Sequence, residues 1–173
     1  MSDYFQSAFA FTIGQEGGFT NNEADPGNWT GGGCGIGKCN GTNFGISAAA
    51  YPNLDIPNLT LAQAQQIYRQ NYWDQLQGDK LPLPLALVAF DGAVNSGLIQ
   101  SVCWLQSAAG VYQDGDLGPI TLGALLAGNA QALARESLVQ RLMFLNELQS
   151  FSTFGLGWTR RVLALLTAVV TPG

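Results

Sequence analysis

No histidine occurs among the 173 residues. Ser-His and Cys-His nucleophile pairs are thereby excluded, and so is nearly every usual zinc site. Charge is also scarce: 11% of residues are charged and the formal balance is -5. A broad basic surface of the kind that holds a phosphate backbone is missing, so nucleic acid is not an expected partner. With three cysteines in all, a four-cysteine metal site is impossible. Cys34 and Cys39 could close a small loop in C-G-I-G-K-C, and the spacing leaves a disulfide and two free thiols equally open. Cys103, in an apolar helical stretch, reads as a small core residue. No run of about 20 apolar residues is present, and the stretch Val162 to Val170 is too short to cross a bilayer. The first residues lack a basic start and contain Asp3, which argues against a cleaved secretory leader.

What is present is an apolar fraction of 47%, enough to bury a core without staples. Phe5, Phe9, Thr12 and Ile13 share a helical face after candidate caps at Ser2 or Asp3, and Gly17-Gly18 is the expected stop, which places Glu16 at the end of that helix. From Gly17 to Gly45 the chain is rich in Gly, Asn, Asp and Thr, suiting turns or a short irregular hairpin. Thr60 with Gln63 forms a capping box, and a helix is expected from about Leu61 to Gln75. After Pro82 and Pro84, L-A-L-V-A-F-D-G-A-V-N-S-G is apolar nearly all round, as in a central buried helix. Further helices are expected over Ile99 to Ala109, over Thr121 to Ala127, and from an Asn129 cap toward Gln149, with a break at Gly155 to Trp158 before a last helix. The architecture is mainly α. It reads as one domain with a small loop or hairpin region near residues 17–45.

Without histidine, the simplest catalytic unit is a carboxylic acid that protonates a leaving group, with a second carboxylate to handle water or a cationic transition state. Glu16 suits the acid role, because a helix C-terminus and the apolar Ile13 and Phe19 disfavour its ionised form. The plainer reading is a solvated glutamate at a helix end. Asp114 and Asp116 in D-G-D-L-G-P lack the further oxygen ligands of a calcium loop and read as a turn into a helix. No phosphate-binding glycine loop is present, and no cofactor is implied.

A series of short motifs narrows these alternatives. E-G-G-F at Glu16 to Phe19, A-D-P-G at Ala24 to Gly27 and T-N-F-G-I-S at Thr42 to Ser47 are followed by Y-P at Tyr51 and A-x-x-I-Y-x-x-x-Y-W from Ala64 to Trp73. F-D-G-A-V-N-S-G from Phe90, W-L-Q from Trp104 and D-G-D-L-G-P-I-T-L-G-A-L from Asp114 complete the series. In this order, over roughly residues 4 to 150, the chain resembles glycoside hydrolase family 108, whose members are lysozyme-like muramidases. The resemblance implies a lysozyme-like helical fold, with residues 1–97 as the catalytic part and 98–173 as a helical peptidoglycan-binding-like part. It implies hydrolysis of the bond between N-acetylmuramic acid and N-acetylglucosamine, with Glu16 as catalytic acid. The peptidoglycan glycan strand is the expected partner and the chain an expected monomer. A non-catalytic wall-binding module and a lytic transglycosylase are the alternatives. An endolysin-like protein made in the cytoplasm and reaching the wall after release or non-classical export is the expected setting.

Asp25 and Thr42 complete a Glu, Asp, Thr order similar to that of phage-type lysozymes, although Asp before Pro-Gly is equally a turn former. Thr42 is a candidate to hold the attacking water or a sugar hydroxyl, and equally a local backbone capper. The insert from Asn28 to Gly41 departs from the shorter family pattern and leaves the loop's path open. Trp29, Tyr51, Tyr72 and Trp73 are candidates for stacking on sugar rings, with core packing the commoner fate for Tyr72. Asn43, Asp91 and Asn95 are candidate substrate-binding residues, with Asp91 read either as a brace for the catalytic loop or as a cleft residue.

Overall fold

The computed structural model describes residues 4–14 and 18–170. Seven α-helices, three short 3-10 or π-helical segments and a single two-stranded antiparallel hairpin make up the regular structure among these residues. The chain divides into two compact units, one formed by residues 1–8 and 71–173 and the other by residues 9–70.

Helix α1 runs over Tyr4–Ile13, and Gly14 ends it in the left-handed region at φ 65°, its N–H donating to Ala10 O. The helix therefore stops before Gly17-Gly18, the expected terminator, because glycine enters this conformation without the Cβ clash that other residues meet. The candidate caps Ser2 and Asp3 lie outside the described residues.

In the unit of residues 9–70, a short 3-10 helix at Pro26–Asn28 precedes the hairpin of β1, Thr42–Asn43, and β2, Ile46–Ser47. Thr42 opposes Ser47 and Asn43 opposes Ile46. Phe44 and Gly45 connect the strands with positive φ at both positions, 50° and 73°, as the mirror-image hairpin turn requires. The Tyr68 hydroxyl donates to Phe44 O and would lie 2.8 Å from any Cβ at Gly45, so the tyrosine both braces the strained phenylalanine and excludes a side chain beside it. Tyr68 closes α2, Leu61–Tyr68, whose start is the expected capping box of Thr60 and Gln63. The expected continuation to Gln75 is instead a π-helical segment, Arg69–Trp73. Its wider turn rotates the residues beyond it about the axis, and Trp73 ends buried.

In the unit of residues 1–8 and 71–173, Phe5, Trp73 and Phe90 pack edge to face at centroid distances of 5.5 to 5.9 Å, the arrangement that ring quadrupoles favour. A Cβ at Gly78 would fall 2.4 Å from the Trp73 ring, so only glycine fits there. Helix α3, Leu83–Ser96, is buried continuously from Leu85 to Ala93, the central helix its all-round apolarity predicts. Around it pack α4, Leu98–Ala109, α6, Ala130–Asn146, and α7, Phe151–Val170, while α5, Pro119–Ala127, lies against α4 and α6. Asn129 caps α6 through the Ala132 N–H. The expected break at Gly155 to Trp158 is absent: α7 runs through it, and the turn falls at residues 147–150. Gly155 serves packing, because a Cβ there would meet the Phe151 ring at 2.8 Å. Although α7 has 20 residues, no described helix is long and apolar enough to cross a membrane.

One carboxylate organises this bundle. Asp91 on α3 is 0% exposed and takes Nη1 of Arg141 from α6 at 2.6 Å. Arg161 from α7 binds it bidentately through Nε and Nη2. The Asn95 amide nitrogen also approaches Asp91 Oδ1, at 3.4 Å. A buried charge is tolerable only with such partners. Asp91→Ala should lower unfolding stability by about 3–5 kcal/mol, the cost of stranding the buried Arg141 guanidinium, as measured by denaturant titration; a loss below about 1 kcal/mol would contradict the bracing role.

A second brace is neutral. Gln106 on α4, fully buried, donates to Asp114 Oδ1, Asp116 O and Thr121 Oγ1 and accepts from the Gly115 N–H, so the D-G-D segment is a turn leading into α5. The Asp116 N–H, with help from the Gln106 amide, holds the Asp114 carboxyl below its ordinary value of 3.8. A depressed folded-state value means that the stabilisation is present above the ordinary value and is lost as pH falls through the folded one. Asp114→Asn should therefore flatten the fall in melting temperature below about pH 4; an unchanged acid limb would contradict this.

Candidate active site

The insert from Asn28 to Gly41 folds as a closed loop inside the unit of residues 9–70. Asp25 caps the 3-10 helix, its Oδ1 accepting from the Gly27 N–H at 2.8 Å. The turn-forming half of its expected role is thus realised, with the residue exposed. Backbone pairs Thr30 to Lys38 and Gly31 to Ile36 zip the loop, with Trp29 opposite Cys39. This ladder closes the loop without a disulfide: Cys34, Cys39 and Cys103 are all free thiols, and Cys39 Sγ lies 3.5 Å from Asn21 O. Cys103 is half-buried rather than a full core member.

Asn28 is the knot of this loop, and sequence reasoning missed it. It is 0% exposed. Its Nδ2 donates to Asn22 O, its Oδ1 accepts from the Thr42 hydroxyl at 2.7 Å, and its carbonyl accepts from the N–H groups of Asn40 and Gly41. Its own N–H returns to Asp25 O. Because Nδ2 is committed to a carbonyl, the amide orientation is set, and the Thr42 proton must point toward Asn28. The threonine oxygen is left as an acceptor. Thr42 thus bonds a side chain and sits in β1, rather than capping backbone. Thr20 pairs with Thr42 by reciprocal backbone bonds of 2.8 and 2.9 Å. At Gly41, with φ 80°, a Cβ would stand 2.5 Å from both Phe19 and Thr20 O. No residue type in the polar stretch marks Asn28 out from the other asparagines; only its contacts do.

The unit thus brings Asp25, Asn28, Trp29 and Thr42 onto one hydrogen-bonded loop. Trp29 is half-buried, its indole N–H donating to Glu23 O at 2.9 Å. Tyr51 is half-buried and follows β2 through a bond from its N–H to Ser47 O. Glu16 lies outside the described residues.

Three expected substrate-binding residues are buried. Asn43 is buried, and its amide is directed to Ile56 O and Leu59 O, tying the hairpin to the segment before α2. Trp73 is 0% exposed, with its indole N–H on Asp79 Oδ1, so no face is open to a sugar. Asp91 is enclosed by the two arginines and braces α3, α6 and α7 rather than the loop or a cleft. Asn95, by contrast, is exposed, and its amide nitrogen bonds back to Asp91.

A mainly helical, lysozyme-like fold with a small hairpin-bearing loop defines the class of this protein. The family described as Glycosyl hydrolase 108 matches residues 9–97, just over half of the chain. The solved structure titled "Structure of Brucella abortus SagA" is similar to it at 34% identity, covering 98% of this chain and 95% of that one, with a TM-score of 0.79. No curated protein matches. The chain belongs to glycosyl hydrolase family 108 and is a glycoside hydrolase.

Asn28→Leu should leave the part-buried Thr42 hydroxyl without its acceptor and remove one of the two donors to the Asn22 carbonyl, costing about 1–2 kcal/mol in all. Hydrogen exchange should speed at the amides of residues 40–42, where the loop is tied; wild-type protection there would contradict the knot.

Proposed function

We propose that the chain is a muramidase that hydrolyses the bond between N-acetylmuramic acid and N-acetylglucosamine in peptidoglycan. The observation that carries this reading is the family match across residues 9–97, a span that includes Glu16 and the whole loop knotted by Asn28. Glu16 is the general acid that protonates the leaving oxygen. Asp25 supplies the second carboxylate, which stabilises the cationic transition state or activates water. Its exposed carboxylate suits that role, since one oxygen is used by the local cap and the rigid 3-10 turn fixes the direction of the group. Thr42 orients the attacking water: its proton is committed to Asn28, so its oxygen accepts from the water and turns the nucleophilic lone pair outward. Trp29 and Tyr51 give apolar faces to sugar rings. The helical part from residue 98 onward adds contacts to the peptidoglycan strand, and the chain works as a monomer.

Peptidoglycan turbidity with the native chain beside Glu16→Gln, followed by mass analysis of released ends, tests the proposal. Clearing with reducing muramic ends, lowered about 10²–10⁴-fold by the substitution as expected for loss of a general acid, is the predicted result. Undiminished clearing by Glu16→Gln would overturn the assignment. Anhydro ends would identify a lytic transglycosylase, and binding without clearing by both proteins a wall-binding module. Thr42→Val should lower kcat more than it raises KM, since it removes an interaction with the nucleophile rather than with the sugar; a change in KM alone would contradict the water-orienting role.

A further inference from the structure

The hairpin that carries Thr42 turns at a residue poorly suited to the turn. Phe44 has φ 50°, a region that bulky side chains avoid because Cβ crowds the backbone. Asparagine and glycine enter it at little cost and are the usual residues of this two-residue turn. A phenylalanine there needs a restraint from elsewhere in the fold, and Tyr68 supplies one. Its hydroxyl donates to Phe44 O at 3.0 Å and stands where a Cβ at Gly45 would fall.

Tyr68 is itself fixed. It is 5% exposed, ends α2, and meets the Phe9 ring of α1 edge to face at 5.5 Å between centroids. A second tie reaches the hairpin from the other side of α2, where the Asn43 amide bonds Ile56 O and Leu59 O just ahead of the Thr60 cap. Asn43 and Phe44 are the residues that directly follow Thr42. One is held before α2 and the other at its end, so the position of Thr42 follows from anchors at both ends of that helix. Through Phe9 the same tyrosine touches α1, the helix that precedes Glu16 in the chain.

We infer that Tyr68 is a positioning residue for hydrolysis: by holding Phe44 O it fixes the turn after Thr42, and with it the direction of the Thr42 hydroxyl. The inference rests on the water-orienting role proposed for Thr42 above. The Tyr68 ring supplies bulk against Phe9, which a phenylalanine would supply equally; the hydroxyl alone holds the turn. Alignment of a nucleophile matters steeply, since a displacement of about 1 Å can cost about 10²-fold in rate.

Kinetics of Tyr68→Phe on soluble peptidoglycan strands, at a temperature where circular dichroism shows both proteins folded, test this. The substitution keeps the ring and removes the hydroxyl, so kcat should fall about 10- to 10²-fold while KM changes less than about twofold. Phe44→Asn puts the preferred Asn-Gly pair into the turn. In that background loss of the hydroxyl should lower kcat less than about threefold, because the turn no longer needs the restraint. An unchanged kcat, a rise in KM alone, or the same loss in both backgrounds would overturn the inference. Hydrogen exchange at Asn43 and Ile46, the pair flanking the turn, should speed about tenfold in Tyr68→Phe. Native exchange rates there would also overturn it, and this readout does not depend on cleavage. Glycan cleavage by the unaltered chain, measured first, separates failure of the muramidase reading from failure at Tyr68.

Discussion

The helical unit depends on one carboxylate that has no access to water. Asp91 cannot remain ionised inside a bundle unless cations reach it, and they come from Arg141 and Arg161, 50 and 70 residues further along the chain. That requirement fixes the faces that α6 and α7 turn toward α3. It also limits the ways the bundle can repack, because any slip of one helix would strand a buried charge at a cost of several kcal/mol. The same demand places Arg141 between the Trp104 ring and Asp91.

The loop unit solves a similar problem without charge. Asn28 has both a donor and an acceptor on one planar amide, so it can take Asn22 O and the Thr42 hydroxyl at once, while its main chain ties Asp25 to residues 40 and 41. A buried aspartate at the same position would lack the donor, and a buried leucine both groups. The insert carrying Cys34 and Cys39 is closed by backbone pairing, which makes a covalent link unnecessary for its shape.

Glycine shows how far local pattern reaches. Gly14 and Gly155 look alike as helix breakers in a sequence, yet Gly14 ends α1 by entering positive φ and Gly155 sits inside α7 to admit the Phe151 ring. Aromatic residues divide similarly. Trp29 stays half-buried on the loop, whereas Trp73 fills the core against Phe5, Phe90 and Gly78, because two of these neighbours come from distant segments.

From its residues alone, this chain determined a mainly helical architecture, the buried character of the helix around Asp91, the Thr60 and Gln63 cap, the Asn129 cap, and a turn-rich region ahead of Ser47. These are set by interactions between residues a few positions apart, or by composition, and so are readable locally. The ordered motifs around Glu16, Asp25 and Thr42 determined its family. Only the tertiary structure decided that Asn28 is the anchor of Thr42, that Asp91 pairs with two arginines, and that Trp73 and Asn43 are structural. Each of these depends on which distant groups meet after the chain collapses, and the balance between burial and hydrogen bonding is settled by those partners rather than by residue type.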